Sequence, residues 1–329
     1  MASTDAGPTD THTMRILLIL LTLGFAADAG AQPRKPAPPP SRQPGPAAAP
    51  FDIQVLLDRA GFSPGEIDGR AGRNTRMALR AFQEARKLSP TGQADDATLK
   101  ALSFQPGKTV TTYTIAPDDV AGPFVNDIPQ DMMERAKLPS LGFTSPLEAL
   151  GEKFHVAPSL LQKLNPGARF AAGEPITVPD VTMPPDKTRA APGDFTIVVS
   201  KDTSALQVLR ADGQVIFHAP VTTGSEHDPL PIGKWKVTGV ARNPTFNYNP
   251  DLFWDADPTH AKAKVPPGPN NPVGVVWIDL SRQHYGLHGT PEPGKVGHTT
   301  SHGCVRLTNW DAVRLAAMVT KGTPVVFER

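Results

Sequence analysis

Proline fixes its own φ and has no amide proton, so a dense run of prolines cannot thread a helix or the middle of a sheet. Of the 329 residues, 37 are proline, about twice the usual share of roughly 5%, and much of the excess falls in two tracts. Residues 32–50 are rich in Pro, Ala, Arg and Lys and poor in large apolar side chains, the composition of an extended tether with no fold of its own. A second Pro-rich stretch runs over residues 181–193. Any core must lie between or beyond these tracts. This predicts modules at 51–105, 111–180 and 194–329, and the length alone favours two or three domains.

Ahead of the first tract, Arg15 precedes the apolar run 16–23, and Ala29-Gly30-Ala31 supplies small residues before Gln32. That is a signal-peptide pattern over residues 1–31, too short for an ordinary transmembrane helix. Residues 1–13 carry Asp5 and Asp10 and no Lys or Arg, so Met14 reads as the true start. No cysteine follows the run, which argues against a lipid anchor. The expected location is the periplasm. A net charge of +1 gives no electrostatic case for nucleic acid as a partner.

Cys304 is the only cysteine. It sits in Ser301-His302-Gly303-Cys304-Val305-Arg306, with His288 sixteen positions before it. An exported protein usually pairs its cysteines, so one without a partner is a candidate reactive thiol. The thiolate is the attacking species, and a nearby histidine has a pKa suited to taking the proton. Gly303 removes a side chain beside the sulfur, so substrate and backbone N–H groups can approach closely. The competing reading is a buried cysteine acting as a small hydrophobe.

Apolar spacing over 51–105 is helical. Ile53, Leu56 and Leu57 form one face and Met77, Ala78, Ala81 and Phe82 another, with a third short helix at 97–102 and Thr75 opening the second. Residues 113–115 and 174–179 read as strands around two helices within 146–164. From residue 194 the pattern turns to strands at 195–199, 206–209, 215–221, 234–240, 275–280 and 325–327. A single helix follows Asn309 as N-cap, with Ala312, Leu315, Ala316 and Val319 on one face.

Three resemblances rest on these stretches. Pro64-Gly65, Ile67-Asp68-Gly69, Gly72, Thr75, Ala78, Phe82-Gln83, Leu88 and Thr91-Gly92 resemble the peptidoglycan-binding domain 1 family. Leu164-Asn165-Pro166 with Gly173, Ile176 and Val178-Pro179 resembles a LysM-type module, from which residues 121–144 depart as a long insertion. Pro231-Ile232-Gly233, Asn271-Pro272-Val273-Gly274, His288-Gly289-Thr290 and Ser301–Leu307 closely resemble the L,D-transpeptidase (YkuD) catalytic domain. Together they imply a mainly β catalytic domain of the β-sandwich type, preceded by a three-helix domain and an α+β LysM-like module.

The last resemblance implies Cys304 as nucleophile, His288 as its base, the Gly289 carbonyl fixing the imidazole tautomer, and His302 lining the site. Ser301, Gly303, Arg306 and Thr290 would contact substrate, with Arg306 holding a carboxylate or bracing its loop, and backbone N–H groups near Gly303 forming an oxyanion hole. The implied reaction is acyl transfer from a tetrapeptide stem, with release of D-alanine, to an acceptor amine. No cofactor is required. Stem peptides and glycan are the implied partners, carbapenem-type β-lactams the implied covalent inhibitors, and an outer-membrane lipoprotein the alternative acceptor. A hydrolase on the same fold, or a wall-binding scaffold with an idle thiol, are the other readings. A metal site built on His284 with His288 is disfavoured, because residues 283–288 read as strand, where positions four apart lie roughly 13 Å from each other.

Overall fold

The computed structural model describes residues 48–181 and 195–329, so the signal-peptide segment and most of both Pro-rich tracts lie outside the described residues. Helices α1 (Pro50–Arg59), α2 (Arg73–Ala85) and α3 (Asp96–Ala101) form the first module. Their periodic residues meet as expected: Leu56, Leu57, Ala78, Phe82 and Leu102 are buried together, with Phe62 edge-on to Phe82. α2 starts earlier than Thr75. Gly72 is its N-cap, and Thr75, buried inside the first turn, instead accepts a hydrogen bond from Gln54.

Strand β1 (Val110–Thr114), helices α4 (Met132–Arg135), α5 (Pro146–Lys153) and α6 (Pro158–Leu164), and strand β2 (Pro175–Pro179) follow. β1 pairs antiparallel with β2, with α5 and α6 between them in sequence. Ser145 caps α5 and Pro146 takes its first position, where a missing N–H costs nothing. This module shares its core with the first: Val55 and Ile67 are buried among Leu150, Val156, Leu161, Ile176 and Val178. The two backbones also join, Ile67 N–H to His155 C=O at 2.9 Å and Ala157 N–H to Ile67 C=O at 3.0 Å.

The rest of the described chain builds a sheet from β3 (Phe195–Ser200), β4 (Ala205–Arg210), β5 (Val215–Pro220), β6 (Gly233–Arg242), β9 (Val276–Leu280), β10 (Gly286–His288), β11 (Val305–Arg306) and β12 (Pro324–Glu328). Between β6 and β9, β7 (Phe246–Tyr248) and β8 (Ala263–Val265) pair as a separate hairpin. Among the described residues the main sheet has eight strands in the order β11-β10-β9-β6-β12-β3-β4-β5. β6 is its seam: residues 233–236 pair with β12 and residues 237–242 pair with β9, with a register shift between Val237 and Gly239 in the second pairing. The extra twist of such a shift curls one continuous sheet. Its two halves and helix α7 (Asn309–Met318) close over one core, including Ile197, Val208, Val237, Ile278, Leu287, Val305, Leu315 and Phe327. The N-cap of α7 is Thr308, one residue before the position expected. Its hydroxyl accepts the Asp311 N–H, which leaves the Asn309 side chain free for another task.

β5 would be an open edge, a liability for any sheet. The first module covers it, His218 N–H bonding to Gly61 C=O at 3.0 Å and Ser63 N–H to His218 C=O at 2.8 Å. Among the described residues, no helix is long and apolar enough to cross a membrane.

Candidate active site

β10 and β11 lie side by side and parallel, with Leu287 opposite Val305 and His288 opposite Arg306. Strand alternation sends Leu287 and Val305, both fully buried, into the core. His288 and Arg306 then share the other face, and Cys304, two residues before Arg306, opens onto it. The thiol is half-buried. It donates to the His284 carbonyl at 3.6 Å. Burial pushes the thiol pKa up, the Gly286 N–H and the Arg306 guanidinium draw it down, and Asp228 raises it. The resting cysteine is a protonated thiol that needs a base.

His288 is 3% exposed, and its Nδ1 sits 2.6 Å from the Gly289 carbonyl oxygen. A carbonyl can only accept, so Nδ1 carries the proton and Nε2 keeps its lone pair. Burial and the neighbouring Arg306 hold the imidazole at a pKa of about 3, against a smaller opposing contribution from Gly289. It is therefore neutral at physiological pH. The ring stacks on Trp277, its partner across β9 and β10, at 5.4 Å between centroids and 19° between planes. Glycine at 286 makes room for that indole, since a β-carbon there would lie 2.5 Å from the Trp277 ring. Gly303 has φ 96, in the region that favours glycine, and a β-carbon would meet Tyr285 at 2.7 Å.

The remaining expected residues surround this pair. Ser301 donates its hydroxyl to the Cys304 carbonyl at 2.6 Å and its N–H to Thr223, fastening the motif loop to the segment after β5. Thr290 is buried and accepts the Glu292 N–H. Thr290 and Arg306 line one cleft of about 180 Å³ with Thr222, Glu292, Lys295, Thr299 and Thr300. The Nε2 of His302 is 2.8 Å from Asp255, and its ring packs edge-on against Phe253.

Asp255 belongs to the connection between β7 and β8, which periodicity did not reveal. That connection is braced from the second module by residues 121–144, the insertion noted in the sequence. Leu141 is buried with Tyr248 and Val265, beside Met132, Met133 and Leu138. Leu141 N–H bonds to the Pro267 carbonyl at 3.0 Å, and His260 joins the Tyr248 hydroxyl at 2.9 Å to Asp131 at 2.8 Å. Residues 121–144 form an arm laid against the catalytic domain.

The strand expected over 283–288 is confined to Gly286–His288. His284 sits in the preceding turn at φ 67, so strand spacing does not describe its relation to His288. Among the described residues no group of three or more His, Cys, Asp or Glu is placed to hold a metal ion.

The chain matches the L,D-transpeptidase catalytic domain (YkuD) family over residues 194–327 and the PG_binding_1 peptidoglycan binding domain family over residues 49–102. YkuD of Bacillus subtilis (strain 168), named as an L,D-transpeptidase, is 26% identical over 185 residues, covering 56% of this chain and 93% of that protein. YqjB of the same organism, also named as an L,D-transpeptidase, is 33% identical over 141 residues, covering 41% of this chain and 72% of that protein. Among solved structures, L,D-transpeptidase 3 from Mycobacterium tuberculosis, in complex with a faropenem-derived adduct, aligns with a TM-score of 0.35 at 18% identity, covering 48% of this chain and 75% of that chain.

Proposed function

Because the chain belongs to the L,D-transpeptidase family and carries a peptidoglycan-binding domain, we propose that it transfers acyl groups between peptidoglycan stem peptides, with Cys304 as nucleophile and His288 as base. The observation that supports the residue roles is the pairing of β10 with β11, which sets His288 opposite Arg306, two residues after Cys304, while the Nδ1 contact to Gly289 leaves the Nε2 lone pair of a neutral His288 available. His288 takes the thiol proton as sulfur attacks the amide carbonyl between the third stem residue and the terminal D-alanine. The N–H groups of Gly303 and Cys304 donate to no acceptor among the described residues, which supports their service to the developing oxyanion. The C–N bond breaks, the imidazolium returns its proton to the departing amine, and D-alanine leaves a thioester on Cys304. An acceptor amine then attacks the thioester, His288 takes the amine proton, and the thiol is restored as the new amide forms.

Arg306, beside a threonine-rich cleft, suits a substrate carboxylate. Leaving aside residues 121–144 with α4, the order β1, α5, α6, β2, with β1 paired on β2, supports the LysM-like reading of the second module. A wall-bound enzyme exported to the periplasm agrees with both N-terminal modules, since tethering raises the local concentration of acceptor stems. That favours a 3-3 crosslink over hydrolysis.

Mass spectrometry of products from defined tetrapeptide muropeptides tests the reading. Crosslinked dimers and free D-alanine are expected from the wild type, and neither from Cys304→Ala. Monomeric tripeptide alone, at high acceptor concentration, makes the enzyme a hydrolase. Unchanged products from Cys304→Ala refute the mechanism.

A further inference from the structure

One wall of the cleft beside Arg306 is the loop 293–298, between Thr290 and the Ser301 motif, which contributes Lys295 and Val296. Contacts within the catalytic domain tie this loop to Thr222. The Thr222 hydroxyl accepts the Gly297 N–H at 3.1 Å and donates to the Lys295 carbonyl at 3.4 Å. Thr222 and Arg306 exchange backbone hydrogen bonds of 3.0 and 2.9 Å. Loop and Arg306 strand are thus set against each other through one threonine, 1% exposed.

The other hold on the loop comes from the first module. Asn74, second residue of α2, donates its Nδ2 to the Val296 carbonyl at 2.9 Å, and among the described residues no other donor reaches that oxygen. The same nitrogen lies 3.4 Å from His298 Nε2. The amide lies against Gly297, where φ is 79 and a β-carbon would meet Asn74 Oδ1 at 2.7 Å. The residues on either side anchor this turn of α2. Arg73 donates to the Thr203 carbonyl, between β3 and β4, at 3.2 Å, and Thr75 accepts from Gln54 at 3.3 Å. Val296 also lines a second cavity, of about 60 Å³, together with Glu66, Asn74, Pro293 and His298. A loop that parts two hollows keeps its place by hydrogen bonds more than by packing.

We infer that Asn74 is a positioning residue for substrate binding, by which the first module holds loop 293–298 at the width of the Arg306 cleft that a stem peptide fills. The inference rests on that cleft taking a substrate carboxylate. It makes the first module part of the substrate site as well as an attachment to the wall. Without the Asn74 donor the loop can shift into the second cavity, and the cleft loses its shape while Cys304 and His288 keep theirs. The cost falls on substrate affinity.

The test uses the whole chain. Full-length Cys304→Ala protein, which binds without turning over, is titrated with tetrapeptide muropeptide by calorimetry, alone and with Asn74→Ala, Asn74→Asp, Arg73→Ala or Arg306→Ala added. Hydrogen exchange over residues 293–298 is followed in the same proteins, and acylation by saturating carbapenem in counterparts that keep Cys304. Asn74→Ala is expected to weaken binding about 5–10-fold, the scale of one hydrogen bond, and to speed exchange of the loop, with the saturating acylation rate nearly unchanged. Asn74→Asp, the same shape with no N–H to give, should lose at least as much. Arg73→Ala, which loosens the module without touching the loop, should bind as its parent does. Adding Asn74→Ala to Arg306→Ala should cost little more than Arg306→Ala alone, because both act on one cleft. Unchanged binding and exchange in both Asn74 variants overturn the proposal. So do an equal loss in Arg73→Ala, an acylation rate that falls as far as affinity, and losses that add in the double variant. Arg306→Ala that binds as its parent does overturns the role of the cleft instead, while exchange over 293–298 still decides whether Asn74 holds the loop.

Discussion

Replacing Arg314 by methionine removes a guanidinium while keeping most of the stem that packs beside it. Asp58 has no exposed surface, and its listeners in the fold are Arg314 and the His155 Nδ1 at 3.1 Å. Burial pushes the Asp58 pKa up, but His155 and Arg314 outweigh it and bring the carboxyl from 3.8 to about 2. That net shift corresponds to roughly 2–3 kcal/mol of stability at neutral pH. Because the folded pKa is depressed, this contribution is present above about pH 4 and is lost as pH falls toward 2.

Without Arg314 the desolvation of Asp58 is opposed by His155 alone. Stranding one member of a buried pair costs about 3–5 kcal/mol. The Asp58 pKa then rises above its unfolded value, so the sign of its pH dependence reverses. The variant is nearer wild-type stability at pH 4.5, where Asp58 binds a proton, and loses more as pH rises to 7.5. Asp311, which burial already raises to about 6 and Arg314 draws down, moves the same way. Urea unfolding of wild type and Arg314→Met, followed by tryptophan fluorescence at both pH values, measures this. The shared core of the first two modules should make the transition cooperative. A loss below about 1 kcal/mol at pH 7.5, or equal losses at both pH values, refutes the reasoning. Asp58→Asn in the Arg314→Met background should recover part of the loss, since it removes the stranded charge.

Three further outcomes are expected. With His288 held neutral down to about pH 3 by burial and Arg306, carbapenem acylation of Cys304 should not fall on acidification from pH 7.5 to 5; an inflection near 6.5, where an ordinary histidine titrates, contradicts that assignment. Trp277→Ala should slow acylation about 10-fold by freeing the His288 ring, with Trp277→Phe close to wild type; equal rates in all three proteins show that the stacking positions nothing. His288→Ala should cost about 10²–10⁴-fold in acylation, and His302→Ala less than about 10-fold, because its visible partner is Asp255 on the β7–β8 connection. Equal losses in the two would place His302 at the thiol.

The sequence by itself determined the elements whose burial is periodic and the residue types that carry the chemistry. Leu56 and Leu57 with Ala78 and Phe82 mark helix faces because every third or fourth residue must leave water. Phe195, Ile197 and Val199 mark a strand because every second one must. Cys304 stood out because it has no partner cysteine, and His288 and Gly289 because of their spacing before it. Tertiary structure alone decided the rest. β10 and β11 are three and two residues long, and β7 and β8 three each, too short for a period to register. Asp58 and Arg314 carry no signal in the sequence, since nothing local says that a charge will be buried. Asp58 and Arg314 are 256 positions apart, and only a fold that brings α1 and α5 onto α7 supplies the opposite charge that makes such burial affordable. The same docking joins modules that the Pro-rich tracts led the sequence to separate into one scaffold behind His288.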